Sequence, residues 1–246
     1  MTLYEIITSG KEIKVTLEKK AVIHGEPTYK RMNMQGGGSD GKYGYFIMNE
    51  CGSTNEVRSV MHKLDLETWE EVASAKDFYF AHANDLAYDT KNNRLLVSHC
   101  NVNSKLLSSV DPDTLALNEV LEIPVRHYAL AYNEKRNQYV GGKSACYDIS
   151  IMDENFNELR VIECEDGFTK QGFECDDNFI YCFHTGCRYN HIWIYDWDGN
   201  FITRVKVPMV GESEHLFVRG DHFIAGFNNF EERTGEIYEM RFSIED

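Results

Sequence analysis

A repeat of 43 to 49 residues constrains this chain more than any other feature in it. Similar segments begin at Gln35, Asn84, Tyr128, Gln171 and His215, at successive steps of 49, 44, 43 and 44 residues. Each is a short strand, a turn built on Asp, Asn or Gly, and a second strand of mostly apolar and aromatic residues. Examples are Asn84-Asp-Leu-Ala-Tyr-Asp followed by Arg94-Leu-Leu-Val, and Gln171-Gly-Phe-Glu-Cys-Asp followed by Phe179-Ile-Tyr-Cys. The second half of each unit repeats too, as an apolar strand, a turn centred on Asp65, Asp111, Asp153 or Asp196, and a further strand. Asp and Asn suit such turns because their side chains bond backbone N–H groups two residues on. A period of roughly 40 to 45 residues with four strands is that of one propeller blade. The expected fold class is therefore all-β, a single domain over residues 1–246 forming a five-bladed β-propeller of four-stranded blades.

The fifth unit ends with Ile237-Tyr-Glu-Met-Arg-Phe-Ser-Ile and lacks its outer strand, while the N-terminus offers surplus strand-like sequence at Leu3 to Ile7 and Ile13 to Ile23. An open blade would expose an unpaired edge, so the N-terminal strand is expected to close the last blade. No amphipathic helical period of any length and no linker composition interrupts the repeats.

The net charge of −15 repels phosphate backbones, and no basic patch offsets it, so nucleic acid is not an expected partner. No segment is apolar enough to be a signal h-region or a membrane span, so a cytoplasmic protein is expected. Seven cysteines, at positions 51, 100, 146, 164, 175, 182 and 187, include no C-x-x-C pair and imply reduced thiols rather than a disulfide framework or thiolate zinc site.

Superposing the units through Asp40, Asp89, Asn133, Asp176 and Gly220 puts Gln35, Asn84, Tyr128, Gln171 and His215 at one shared position, at the start of each innermost strand. All five can hydrogen-bond, and each blade contributes a different group, as an asymmetric ligand requires; the bland alternative is a water-filled channel. Neighbouring positions add His82, His127 and Glu214, and the ends of the second strands add Asn49, Glu50, His99, His184, Asn228 and Asn229 to the same face. The histidines His82, His99, His127, His184 and His215 would suit acid–base work near neutral pH or, as ordinary spacers, hydrogen bonding between blades. None shares the i, i+4 spacing of a helical zinc site, so no metal is expected. Asp85 and Glu174 lie near the ring at different repeat positions, which would turn them to opposite sides of their strands. The Gly36-Gly-Gly run has no Lys-Ser/Thr and no helix after it, so it reads as a close backbone approach or a bend rather than a phosphate loop.

The stretch from His82 through Asn84-Asp-Leu-Ala-Tyr-Asp to Asn93-Arg-Leu-Leu-Val, with Gln171-Gly-Phe-Glu-Cys-Asp-Asp-Asn-Phe-Ile-Tyr later, resembles the repeats of helveticin-J-like bacterial proteins, a propeller-like group, over most of the chain from about Gln35. That resemblance implies a blade fold and no particular activity. Five-bladed arabinanase-type glycosidases are similar in architecture but place an acid on three successive innermost strands, where this chain has Gln35, Asn84 and Tyr128. The expectation is thus binding of a small polar molecule or glycan fragment at one channel mouth. Two alternatives stand beside it: a sugar-directed lyase or hydrolase using His82, His127 or His215 as base with Glu214 as acid, and a scaffold that binds a protein through its acidic surface. No cofactor is indicated.

Overall fold

The computed structural model describes residues 1–26, 31–51, 57–78, 82–100, 104–143, 148–164, 170–185 and 189–245. Blade 1 comprises β2 (Arg31–Ser39), β3 (Tyr43–Cys51), β4 (Val57–Asp65) and β5 (Glu71–Phe78). Blade 2 comprises β6 (Ala83–Asp89), β7 (Arg94–His99), β8 (Leu106–Val110) and β9 (Leu117–Glu122). Blade 3 is β10 (Leu130–Asn133), β11 (Gln138–Lys143), β12 (Asp148–Met152) and β13 (Glu158–Ile162). Blade 4 is β14 (Lys170–Cys175), β15 (Phe179–His184), β16 (Asn190–Asp196) and β17 (Phe201–Val207). Blade 5 is β18 (Glu212–Arg219), β19 (His222–Asn229) and β20 (Thr234–Ile244), completed on its outer edge by β1 (Ile13–His24). Every pairing is antiparallel between neighbours, and the innermost strands β2, β6, β10, β14 and β18 touch in a closed ring. The protein is a five-bladed β-propeller.

The turns form for the reason their composition implies. Asp40 accepts from the N–H groups of Lys42 and Tyr43, and Asp176 from those of Asn178 and Phe179. Asp65, Asp111, Asp153 and Asp196 do the same in the outer hairpins. Second-strand tyrosines reinforce them, Tyr45 donating to Asp40 (2.6 Å) and Tyr181 to Asp176 (2.6 Å).

Both faces of each blade are buried, which is why second strands such as Phe179–His184 run apolar without alternation. Successive side chains still point to opposite faces. Phe179, Tyr181 and Phe183 pack against blade 5, and Ile180 and Cys182 against blade 3. The described residues hold five such apolar clusters, one between each neighbouring pair of blades.

The strand closing blade 5 pairs from Ile13↔Ile244 to His24↔Thr234. The expectation of a strand at Leu3 to Ile7 is corrected: these residues form a short helix, α1 (Leu3–Thr8). Thr2 and Glu5 bond each other's backbone N–H in a capping box, and Leu3, Ile6 and Ile7 bury on the cluster between blades 4 and 5. Once β1 has filled the edge, no partner strand remains for these residues, and a helix satisfies its own backbone.

Candidate functional site

All five innermost strands enter from the same mouth, and each carries a bulge just inside it. In β6, Ala83 pairs with His99 and Asp85 with Ser98, leaving Asn84 unpaired; in β14, Gln171 is left out in the same way. In β2, Gln35 and Gly36 together face Ile47. Tyr128 and Ala129 share Gly142, whose carbonyl accepts from Tyr128 and whose N–H donates to Ala129. In β18 the unpaired residue is Glu214, between Ser213↔Phe227 and His215↔Gly226. A bulge frees a side chain from the alternation of its strand and re-aims it. The shared ring is therefore Gln35, Asn84, Tyr128, Gln171 and Glu214; the alignment that put His215 there is off by one residue.

Contacts around this mouth cross from blade to blade. The Gln35 amide oxygen lies 3.1 Å from His82 Nε2, and Asn84 donates to the Tyr128 carbonyl (2.5 Å). Gln171 donates to Glu212 (3.2 Å). Asn228 donates to Glu214 (2.6 Å) and, at longer range, to Glu212 (3.4 Å), while its oxygen accepts from Met34 N–H (2.6 Å). Burial first, then the neighbouring Glu212, pushes the Glu214 carboxyl well above its ordinary range. His82 sits at φ +67°, an uncommon conformation for a residue with a Cβ, and burial lowers its pKa. Glu212 was not singled out from the sequence. Its signal was the Glu-Ser-Glu alternation, which sets two acids near one strand end.

The other four histidines lie deeper. His215 is fully buried between Gly37 and Gly226, its Nδ1–H donating to the Gln35 carbonyl at 2.7 Å, and burial lowers it to about 4. His99 meets Ser108 Oγ at 2.8 Å and His184 stacks on Trp193. His127 is 1% exposed, against Gly141. Burial lowers His99 and His127 to about 4 and His184 to about 3, so all three are neutral imidazoles at physiological pH. They occupy more than one repeat position: His99 and His184 end their second strands, whereas His127 precedes the bulge. Asn49 and Glu50 serve the framework, bonding the Ala83 carbonyl and Arg58.

Asp85 and Glu174 both turn to the channel axis, correcting the expectation that they face opposite sides. They lie one and three residues past their bulges, an even separation that keeps them on one side of the strand. Asp85 accepts from the N–H of Leu86 (2.9 Å), of Leu130 in blade 3 (3.1 Å) and of Phe173 in blade 4 (3.4 Å). Glu174 accepts from Cys175 (2.7 Å) and from Val218 in blade 5 (3.2 Å). Burial raises Asp85 well above its ordinary range and Glu174 to about 7. These acids staple the innermost strands to one another. Gly36 permits the approach, since a Cβ there would sit 2.3 Å from the Asp85 Cα.

Among the described residues, no three His, Cys, Asp or Glu side chains are placed to hold a metal, and no helix is long and apolar enough to cross a membrane. Cys100, Cys164, Cys175 and Cys182 are thiols outside any disulfide; the side chains of Cys51, Cys146 and Cys187 lie outside the described residues.

Fold and site together define a propeller with a polar, bulge-lined mouth and an axis filled by carboxyls. No protein-family profile matches the chain, and no curated protein does. Among solved structures it is similar to the tail fibre of Staphylococcus aureus phage P68, at TM-score 0.67 and 12% identity over 97% of this chain, and it spans 55% of that fibre chain. A second match, U3-55K, gives TM-score 0.48 and 10% identity, covering 89% of this chain and 63% of that one. The likeness to the tail fibre is one of fold.

Proposed function

We propose that the bulged mouth binds a small hydroxyl-rich molecule, a glycan fragment being the best fit. The observation that carries this is the row of bulges, which sets three carboxamides, a phenol and the Glu214 carboxyl around one channel mouth. Carboxamides and hydroxyls both donate and accept, matching sugar hydroxyls, and the Glu212–Glu214 pair adds carboxyl oxygens that can accept from them. Exposed aromatic surface flanks the mouth on the side of blades 4 and 5. Tyr189 (48% exposed) precedes Asn190, which donates to the Gly211 carbonyl beside Glu212 (2.8 Å), and Phe230 (55% exposed) follows Asn228 by two residues. Such rings offer flat apolar faces to the C–H side of a sugar.

The Glu214 carboxyl, raised by burial, with His82 at the same mouth, also supports a second reading, a lyase or hydrolase on the same ligand class. The repeat resemblance leads us to infer kinship with the helveticin-J-like bacterial group. Titration calorimetry against an oligosaccharide panel tests the main reading. We expect Gln171→Ala and Glu212→Gln to weaken the best ligand at least tenfold with unchanged unfolding curves. Absence of binding across the panel, or ligands indifferent to both substitutions, would sink it, and product formation abolished by Glu214→Gln would establish the enzyme.

A further inference from the structure

The outer strand of blade 4 offers a second surface, away from the mouth ring. Strand β17 pairs with β16 alone, so its other edge carries backbone N–H and C=O groups with no partner strand among the described residues. Every blade ends in such a strand, and the five differ in charge. Glu71 lies in β5, Glu119 and Glu122 in β9, Glu158 in β13 and Glu18 in β1. Strand β17, Phe-Ile-Thr-Arg-Val-Lys-Val, has two cations and no acid, in a chain whose net charge is −15.

Those two cations stand on one face. Arg204 is opposite Trp193 and Lys206 opposite His191 in the β16–β17 ladder. Two residues apart, they project to the same side at a spacing of about 7 Å along the strand. Val205 and Val207 point the other way and are buried in the cluster between blades 4 and 5. Both cations are exposed, and aromatic rings hold them in place: the Arg204 guanidinium lies 5.9 Å from the centre of the Trp193 ring and the Lys206 ammonium 3.6 Å from that of Tyr189. Among the described residues, neither forms an ion pair. Their charge reaches the imidazole between them, since burial first, then Arg204 and Lys206, lowers the His191 pKa.

We propose that β17 receives an extended acidic peptide segment of a partner protein, added to blade 4 as a further strand with one carboxylate beside Arg204 and another beside Lys206. The match is geometric as well as electrostatic: side chains at alternate positions of an added strand repeat at the spacing of the two cations. Main-chain bonds to the open edge supply affinity in this mode of recognition, and the alternate side chains supply specificity. Opposite charges on neighbouring strands stabilise the pairing and like charges oppose it, so a second copy of β17, which would set cations against cations, is disfavoured. A single nucleic-acid strand would need open ring faces to stack on, and Trp193 is already stacked on His184 with Arg204 over it.

The test is fluorescence anisotropy of the full chain with a labelled synthetic peptide that alternates glutamate with threonine. Binding should saturate and weaken as salt rises. It should fall at least about fivefold when the glutamates are gathered into one block, which keeps the charge and removes the spacing, and by a similar factor when backbone nitrogens of the peptide are methylated, which removes the ladder bonds. Arg204→Glu combined with Lys206→Glu should abolish binding, and Arg204→Gln alone should weaken it about threefold, which keeps the proposal testable if the charge-reversed variant folds poorly. No binding by the alternating peptide, equal binding of a lysine–threonine, blocked or methylated peptide, tighter binding of oligothymidylate or polygalacturonate, or indifference to both variants would overturn it.

Discussion

The two mouths of one channel are built by different means from the same repeat. At the entry mouth, bulges release one residue per blade from the sheet pattern, and that residue differs in every blade: Gln35, Asn84, Tyr128, Gln171 and Glu214. At the exit mouth, the turns keep near-identical chemistry, with Asp40, Asp89, Asn133 and Asp176 each accepting backbone N–H bonds. The lesson is that a propeller can hold its frame with uniform turns at one end while varying the chemistry at the other. Between them, Asp85 and Glu174 occupy the axis and so separate the two mouths.

Removing the central staple should produce the largest effect. Asp85→Ala leaves the Leu130 and Phe173 N–H groups buried without acceptors, at about 1–3 kcal/mol each, so roughly 3–5 kcal/mol of stability should be lost in urea unfolding. Asp85→Asn keeps an acceptor oxygen and should recover much of it. Equal, small losses for both would mean that the axis does not divide the mouths.

Glycine substitutions compare the mouths directly. Gly36→Ala at the entry mouth forces a Cβ into the Asp85 backbone and should cost about 2–3 kcal/mol. Gly41→Ala at an exit-side turn meets open space and carries only the strain of φ +94°, about 1 kcal/mol. A reversed order in chemical denaturation would contradict the close approach of blades 1 and 2.

Smaller, pH-dependent effects distinguish the acids from the imidazoles by sign. Glu174 is raised in the fold from 4.5 to about 7, so between these values the native state binds more protons and stability falls as pH rises. Glu174→Gln should therefore raise the melting temperature at pH 8 relative to wild type and change it little at pH 4.5. The buried histidines act oppositely. His99, His127 and His215, lowered from 6.5 to about 4, stay neutral while the unfolded chain takes up protons, so their contribution is lost as pH falls through that interval. NMR titration should find all three imidazoles unprotonated at pH 5.5; one titrating near 6.5 would place it in open solvent at the entry mouth.

Much of this fold was legible before any coordinates, and for a local reason. Blade strands pair with sequence neighbours, so the alternation and turn residues that define them recur within a few tens of residues. The missing outer strand of blade 5 and its replacement by the segment Ile13 to Ile23 followed by counting. The segment Leu3 to Thr8 did not follow, because apolar residues so few in number fit a strand or a single helical turn, and only the occupied sheet edge decides between them.

The site divides along the same line. Sequence alone determined which residues approach the entry mouth, because inner-strand starts are set by the repeat. Which of them project into it was decided by tertiary structure: a single extra residue in β18 brings Glu214 forward and buries His215, and no local pattern marks where that residue is inserted. The axial staples were likewise invisible in the chain, since they arise when Asp85 and Glu174 take N–H groups from strands 44 to 88 residues away. Periodicity records pairing between neighbours, whereas contacts across an axis depend on the ring having closed.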